Sequence, residues 1–155
     1  MERKKLYAAR ALMTVLTAAV ICFIFGNSLA SADDSSARSG RLVALINSLM
    51  CGLGIELEVT QHFVRKTAHF TEFAALGALS TVTVYLYTHK RRASALIAAG
   101  IGLFTAVCDE FIQMFSSGRS CELRDMLIDF SGAALAALTV FLILKVVERK
   151  REGNK

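Results

Sequence analysis

The segment Arg65 to Phe73, R-K-T-A-H-F-T-E-F, carries the first residues able to do chemistry. At 3.6 residues per turn, Arg65, His69, Glu72 and Leu76 fall on one narrow helical stripe. Two further helical patterns carry polar groups. Asp109, Glu110 and Gln113 share one arc, and Asp125, Asp129 and Gly132 share one stripe at spacings of four and three. His69, Glu72, Asp109 and Glu110 are candidate catalytic residues, because an imidazole among carboxylates can move protons. The candidate ligand-binding residues are Arg65, Lys66, Gln113, Arg119 and Asp125, joined by Arg124. Guanidinium forks and an ammonium suit phosphate or carboxylate. The carboxylates could also hold a hard cation. One histidine among scattered acids lacks the spacing of a zinc site, however, so neither a metal nor a cofactor is expected. No serine has a nearby histidine in sequence, and no nucleophile is assigned.

These residues sit at the edges of long apolar runs. The chain has 155 residues, 54% of them hydrophobic, with no Pro and no Trp. The apolar residues come in blocks of membrane-spanning length, which favours an all-α integral membrane four-helix bundle over a soluble domain. The spans are expected at about residues 6–25, 67–88, 93–115 and 125–147 of a single domain, 1–155. Basic head and apolar run also describe a signal peptide, but the first run is longer than a typical signal core and is read as a retained span. Gly26 to Gly40, rich in Ser, Ala and Asp, reads as a solvated loop. Leu42 to Ile55 is too short to cross a bilayer, and reads as an interfacial or re-entrant helix on the outer side. Ser116 to Ser120 is a turn. An ionisable residue inside such spans is costly unless it faces protein or a wet cavity, so the default reading of His69 and Glu72 is a functional site.

Charge distribution sets the expected orientation. The N-terminal segment, the 89–92 turn and the C-terminal segment hold twelve of the eighteen Lys and Arg, but three of the thirteen acids. Lys and Arg are retained on the cytoplasmic side, so both termini should be cytoplasmic and the polar cluster should face outward. The net charge of +5 does not point to nucleic acid, because the basic residues flank apolar runs and are not interleaved with aromatics. Arg65 and Lys66 oppose the dipole of their helix start, and Asp109 and Glu110 that of their helix end, at about 0.3–1 kcal/mol per charge. The simplest relief is for the two pairs to face each other. Cys22 and Cys108 read as small hydrophobes within spans. Cys51 and Cys121 map to the outer side, where a disulfide is permitted. The Gly100-x-Gly102 pair in mid-span reads as close helix packing.

In order and spacing these pieces resemble the VanZ family of small bacterial membrane proteins. The matching residues are Ser28, Ser36 and Ser39, then Arg65-Lys66 with His69 and Glu72, then Asp109-Glu110 with Gln113 and Phe115, and lastly Gly118-Arg119 with Asp125 and Gly132. The resemblance runs from about residue 20 to residue 140. Three positions depart from it: Phe73 where Tyr is frequent, Ser117 where Pro often precedes Gly-Arg, and Asp129 where Asn is usual. The resemblance implies a place in the bacterial cytoplasmic membrane and an association with resistance to teicoplanin and related glycopeptides. The expected partners are membrane lipids or lipid-linked cell-wall precursors, with no nucleic acid; no oligomeric state follows. Two function classes stay open: a binding protein for an anionic head group, and an enzyme acting on a lipid-linked phosphate or ester. Beside both stands a buried ion network that merely fixes helix packing.

Overall fold

A computed structural model describes residues 2–153; Met1, Asn154 and Lys155, the ends of the expected 1–155 domain, lie outside the described residues. The fold is all-helical: α1 (Glu2–Ser28), α2 (Ala32–Gly52), α3 (Gln61–Thr88), α4 (Arg91–Gln113) and α5 (Leu123–Gly153).

The segment expected as a loop over 26–40 is instead helical. α1 runs to Ser28, and α2 begins at Ala32 and absorbs both the polar stretch and the short apolar one. The reason is a cap. The Ser31 side chain accepts from Asp34 N–H, while Asp33 and Asp34 sit in the first turn, where the partial positive helix end favours acids. Likewise α3 starts six residues before the expected 67, because the Thr60 hydroxyl accepts from Phe63 N–H and caps it there. The tie between α2 and the 53–60 connection is Asn47, whose side chain bonds both the N–H and the carbonyl of Val59.

The centre of the packing is α3, which touches α1, α2, α4 and α5. Small residues allow its closest approaches. A methyl added to Gly77 would collide with the backbone of Ala133, and one added to Gly132 with the carbonyl of Phe70. Gly102 meets the Ala133 side chain in the same way, whereas Gly100 faces open space, so only one of that pair serves packing. Ile24, Phe73, Leu76, Ala106 and Ala133 form the buried core around this seam.

The outside of the molecule is apolar. α1, α4 and α5 are each long and apolar enough to cross a membrane, and the most apolar window of α1 is only 11% buried. Large side chains such as Leu12, Val15, Phe104 and Leu135 stand exposed. Such surface belongs in lipid rather than in water. α3 has the length, 28 residues, but Glu72 and several Thr and Ser residues lower its apolarity.

The helices meet at two polar poles. At one, Arg10 donates to the Leu86 carbonyl, and Glu148 pairs with Arg91 and accepts from Tyr85. The starts of α3 and α5 and the ends of α1 and α4 meet at the other pole, which carries the candidate residues.

Gly77→Ala should lower stability by about 1–3 kcal/mol through overpacking against Ala133. In contrast, Gly100→Ala should be neutral or stabilising, by up to about 1 kcal/mol. Unfolding midpoints in detergent check both, and equal effects at the two positions would refute the seam.

Candidate functional site

The turn between α4 and α5 is built by Gly118. Its φ of 74° is open to glycine and strained for other residues, and Arg119 N–H closes the turn on the Ser116 carbonyl at 3.2 Å. Two bonds clamp this turn to the α1–α2 corner: Ser116 Oγ donates to the Ser28 carbonyl at 2.8 Å, and Ala32 N–H to the Ser117 carbonyl at 3.0 Å. Arg119 is thereby carried over the start of α3.

Beneath it lies a cavity of about 80 Å³. Its walls include Arg65, Lys66 and His69 of α3, Glu110 and Gln113 of α4, Arg119 of the turn, and Asp125 and Asp129 of α5. A second cavity of about 200 Å³ shares Arg65, His69 and Arg119, and adds Asn27, Arg38 and Glu72. Nine sequence candidates therefore converge: seven line the first cavity, Glu72 lines the second, and Asp109 is fully buried.

The acids are held by directed donors. Ser28 Oγ donates to Asp109 Oδ1 at 2.5 Å, and Gln113 Nε2 donates to Asp109 Oδ2 at 2.9 Å and to Glu110 Oε1 at 3.2 Å. The Glu122 N–H donates to Glu110 Oε2 at 2.8 Å. Glu72 Oε1 accepts from Asn27, whose own side-chain oxygen accepts from Arg38. Buried atoms without a hydrogen-bond partner remain at His69 Nδ1, Glu72 Oε2 and Arg119 Nε.

The ion pair at this pole joins Lys66 to Asp125. The expected facing of Arg65 with Asp109 does not form an ion pair among the described residues; Asp109 is held instead by Ser28 and Gln113. Lys66 is relieved by an acid at the start of a neighbouring helix. Arg38, Arg65 and Arg119 form no ion pair among the described residues. Burial first, and then the like charge of Arg65, holds the Arg119 guanidinium below its ordinary value.

A family model described as VanZ/LLP1 matches residues 13–145, a stretch that takes in all of these groups. The chain belongs to the VanZ/LLP1 family. No curated protein and no solved structure matches it at a significant level.

Within this VanZ/LLP1 chain, three site residues carried no assigned role in the sequence reading. Ser28 supplies the hydroxyl that holds Asp109, and only its seat at a helix corner brings it there. Arg38 was placed in a loop, and the Ser31-x-x-Asp34 cap is the signal that would have put it on a helix. Asp129, read as part of a stripe and as a departure from the family's usual Asn, is 2% exposed and comes within reach of His69 and Asp109. Cys51 and Cys121 are both free and exposed, with no disulfide between them.

Lys66→Met and Asp125→Asn should be non-additive in detergent unfolding, with an interaction of about 0.5–3 kcal/mol. For Arg65→Gln with Asp109→Asn the effects should add to within about 0.5 kcal/mol. The reverse pattern would show that the charges pair differently.

Proposed function

We propose that this VanZ/LLP1 chain is a four-span bundle of the bacterial cytoplasmic membrane, with α2 lying outside it as an interfacial helix. Both termini are cytoplasmic, and the polar pole binds the anionic head group of a lipid or lipid-linked envelope precursor at the outer leaflet. The observation that carries this reading is the convergence of Arg38, Arg65 and Arg119 on one 200 Å³ cavity without an ion pair among them. Three guanidiniums held close repel one another, and a phosphate or carboxylate would relieve all three. Next to this cavity lies an apolar groove of about 670 Å³ along α1, α2 and α3. Leu42, Val64, Ala68 and Glu72 border both spaces. A cationic chamber beside an apolar groove suits a ligand with an anionic head and a hydrocarbon tail. The family's association with teicoplanin resistance fits a protein that engages such envelope lipids.

A second reading, an enzyme acting on a lipid-linked phosphate or ester, is favoured by one feature. His69 Nδ1 and Glu72 Oε2 are buried beside the guanidiniums and without partners, free to exchange a proton with a bound ligand. Glu72→Gln separates the two: lost phenotype with retained lipid marks catalysis, and joint loss marks binding.

Charge-assisted contacts contribute roughly 1.5–3 kcal/mol each, so Arg119→Ala should weaken retention of anionic lipids and polyprenyl phosphates at least about tenfold. Mass spectrometry of lipids co-purified with wild type and variant reads this, and equal retention would overturn the binding reading. The orientation is checked with single-cysteine chains. Cys51 and Cys121, both exposed, should react on intact cells with a membrane-impermeant maleimide, and a cysteine replacing Arg92 should not. Labelling of the Arg92 position alone would reverse the topology.

A further inference from the structure

We infer that His69, Asp109 and Asp129 form a divalent transition-metal site, which adjoins the guanidinium chamber through His69 and does not depend on the lipid-binding reading. One ligand-type atom from each of the three lies within 4.8 Å of the others. They come from α3, α4 and α5, three separate helices, at the pole where these helices are locked together by Gly77, Gly132 and the Lys66–Asp125 pair.

Each group is disposed as a ligand. Asp109 is fully buried, and both of its oxygens are already oriented by Ser28 and Gln113. Such donors fix a ligating carboxylate while leaving it lone pairs to give. His69 Nδ1 is buried and accepts or donates no hydrogen bond. Asp129 is 2% exposed, and its carboxylate makes no hydrogen bond among the described residues. Two carboxylates buried side by side, one of them lacking any donor, repel each other when ionised, and a dication between them relieves that repulsion.

The donor set decides the kind of ion. One imidazole and two carboxylates suit Zn²⁺ or Mn²⁺ better than Ca²⁺, which takes six to eight oxygens. Around zinc at about 2.0–2.2 Å, tetrahedral ligand atoms stand roughly 3.4 Å apart, so the triad must close by up to about 1.4 Å, within the reach of side-chain rotation. Three protein ligands leave a position open, and His69 and Asp129 both line the 80 Å³ cavity through which an ion or water arrives. Arg65, Lys66 and Arg119 also line that cavity; Lys66 is answered by Asp125, and the two guanidiniums are shared with the neighbouring chamber.

The test uses full-length protein in detergent, stripped with a chelator and then dialysed against Zn²⁺ or Mn²⁺ alone. Metal content by plasma mass spectrometry should approach one equivalent in wild type and fall at least about tenfold in Asp129→Asn and in His69→Gln, each checked for a monodisperse elution profile. Ser131→Ala, on the exposed side of α5, should keep the ion. Zn²⁺ should also raise the wild-type unfolding midpoint by a few degrees, a readout that needs no variant to fold. Wild type that takes up neither metal and shows no thermal shift would overturn the inference in favour of a protonated carboxyl pair, as would Asp129→Asn and His69→Gln that retain metal as wild type does. Arg119→Ala should retain metal while losing lipid, so loss of the metal result leaves the lipid reading standing, and the converse.

Discussion

The contact on which the site depends is the backbone approach of α3 to α5. Gly77 against Ala133 and Gly132 against the Phe70 carbonyl leave no room for side chains between the two helices. The approach is possible because dispersion between small-residue faces, and not an oily interior, holds apolar helices together in lipid. The two helices run parallel, with both starts at the same pole. Setting residue 70 beside residue 132 fixes the level of everything earlier on each helix. Lys66 then meets Asp125, and His69 comes within reach of Asp129. A bulkier seam would part these pairs although none of them touches it.

Parallel starts also explain how the charges are satisfied. Lys66 opposes its own helix dipole, yet the neighbouring start carries Asp125, which agrees with its dipole and answers the ammonium. The acids at the end of α4 are not rescued by cations but by neutral donors. The Ser28 hydroxyl, the Gln113 amide and the Glu122 N–H each give a hydrogen bond to a carboxylate oxygen. Satisfying an acid this way costs no second desolvated charge. It also leaves the arginines unpaired.

What was legible in the sequence follows from this logic. Long apolar runs and helical stripes are local properties, so the polar stripes of α3, α4 and α5 could be named from spacing alone. The Gly118 turn was legible for the same reason. The partner of each charge was not, because it depends on which helices run side by side. A dipole argument restricted to two helices paired Arg65 with Asp109, and overlooked the donors that a polar corner between α1 and α2 would bring. That corner was misread because Ser, Ala and Asp in a row resemble a loop by composition. The capping serine at residue 31 makes them a helix instead, and with the helix comes Arg38, which completes the guanidinium chamber. The His69, Asp109 and Asp129 group was illegible for a plainer reason: its members are spread over 60 residues and three helices, so no spacing rule applies.

The distribution of charge argues against packing as the sole role of this pole. A network that only held helices together would pair each guanidinium with the nearest acid, since an unpaired charge in an apolar bundle is the costliest outcome available to it. Arg65 and Arg119 have acids available: they share one cavity with Glu110 and Asp129 and another with Glu72. They form no ion pair with them among the described residues. Arg38 joins Arg65 and Arg119 at the cavity on the α2 side, whereas Glu110 and Asp129 line the one toward α4 and α5, and His69 lines both. Ligands from outside would relieve charges left unpaired in this way, as would protonation of the carboxyl groups. On the readings proposed above, an anion would sit beside the guanidiniums, and a cation among the carboxylates after a small rotation of His69, Asp109 and Asp129.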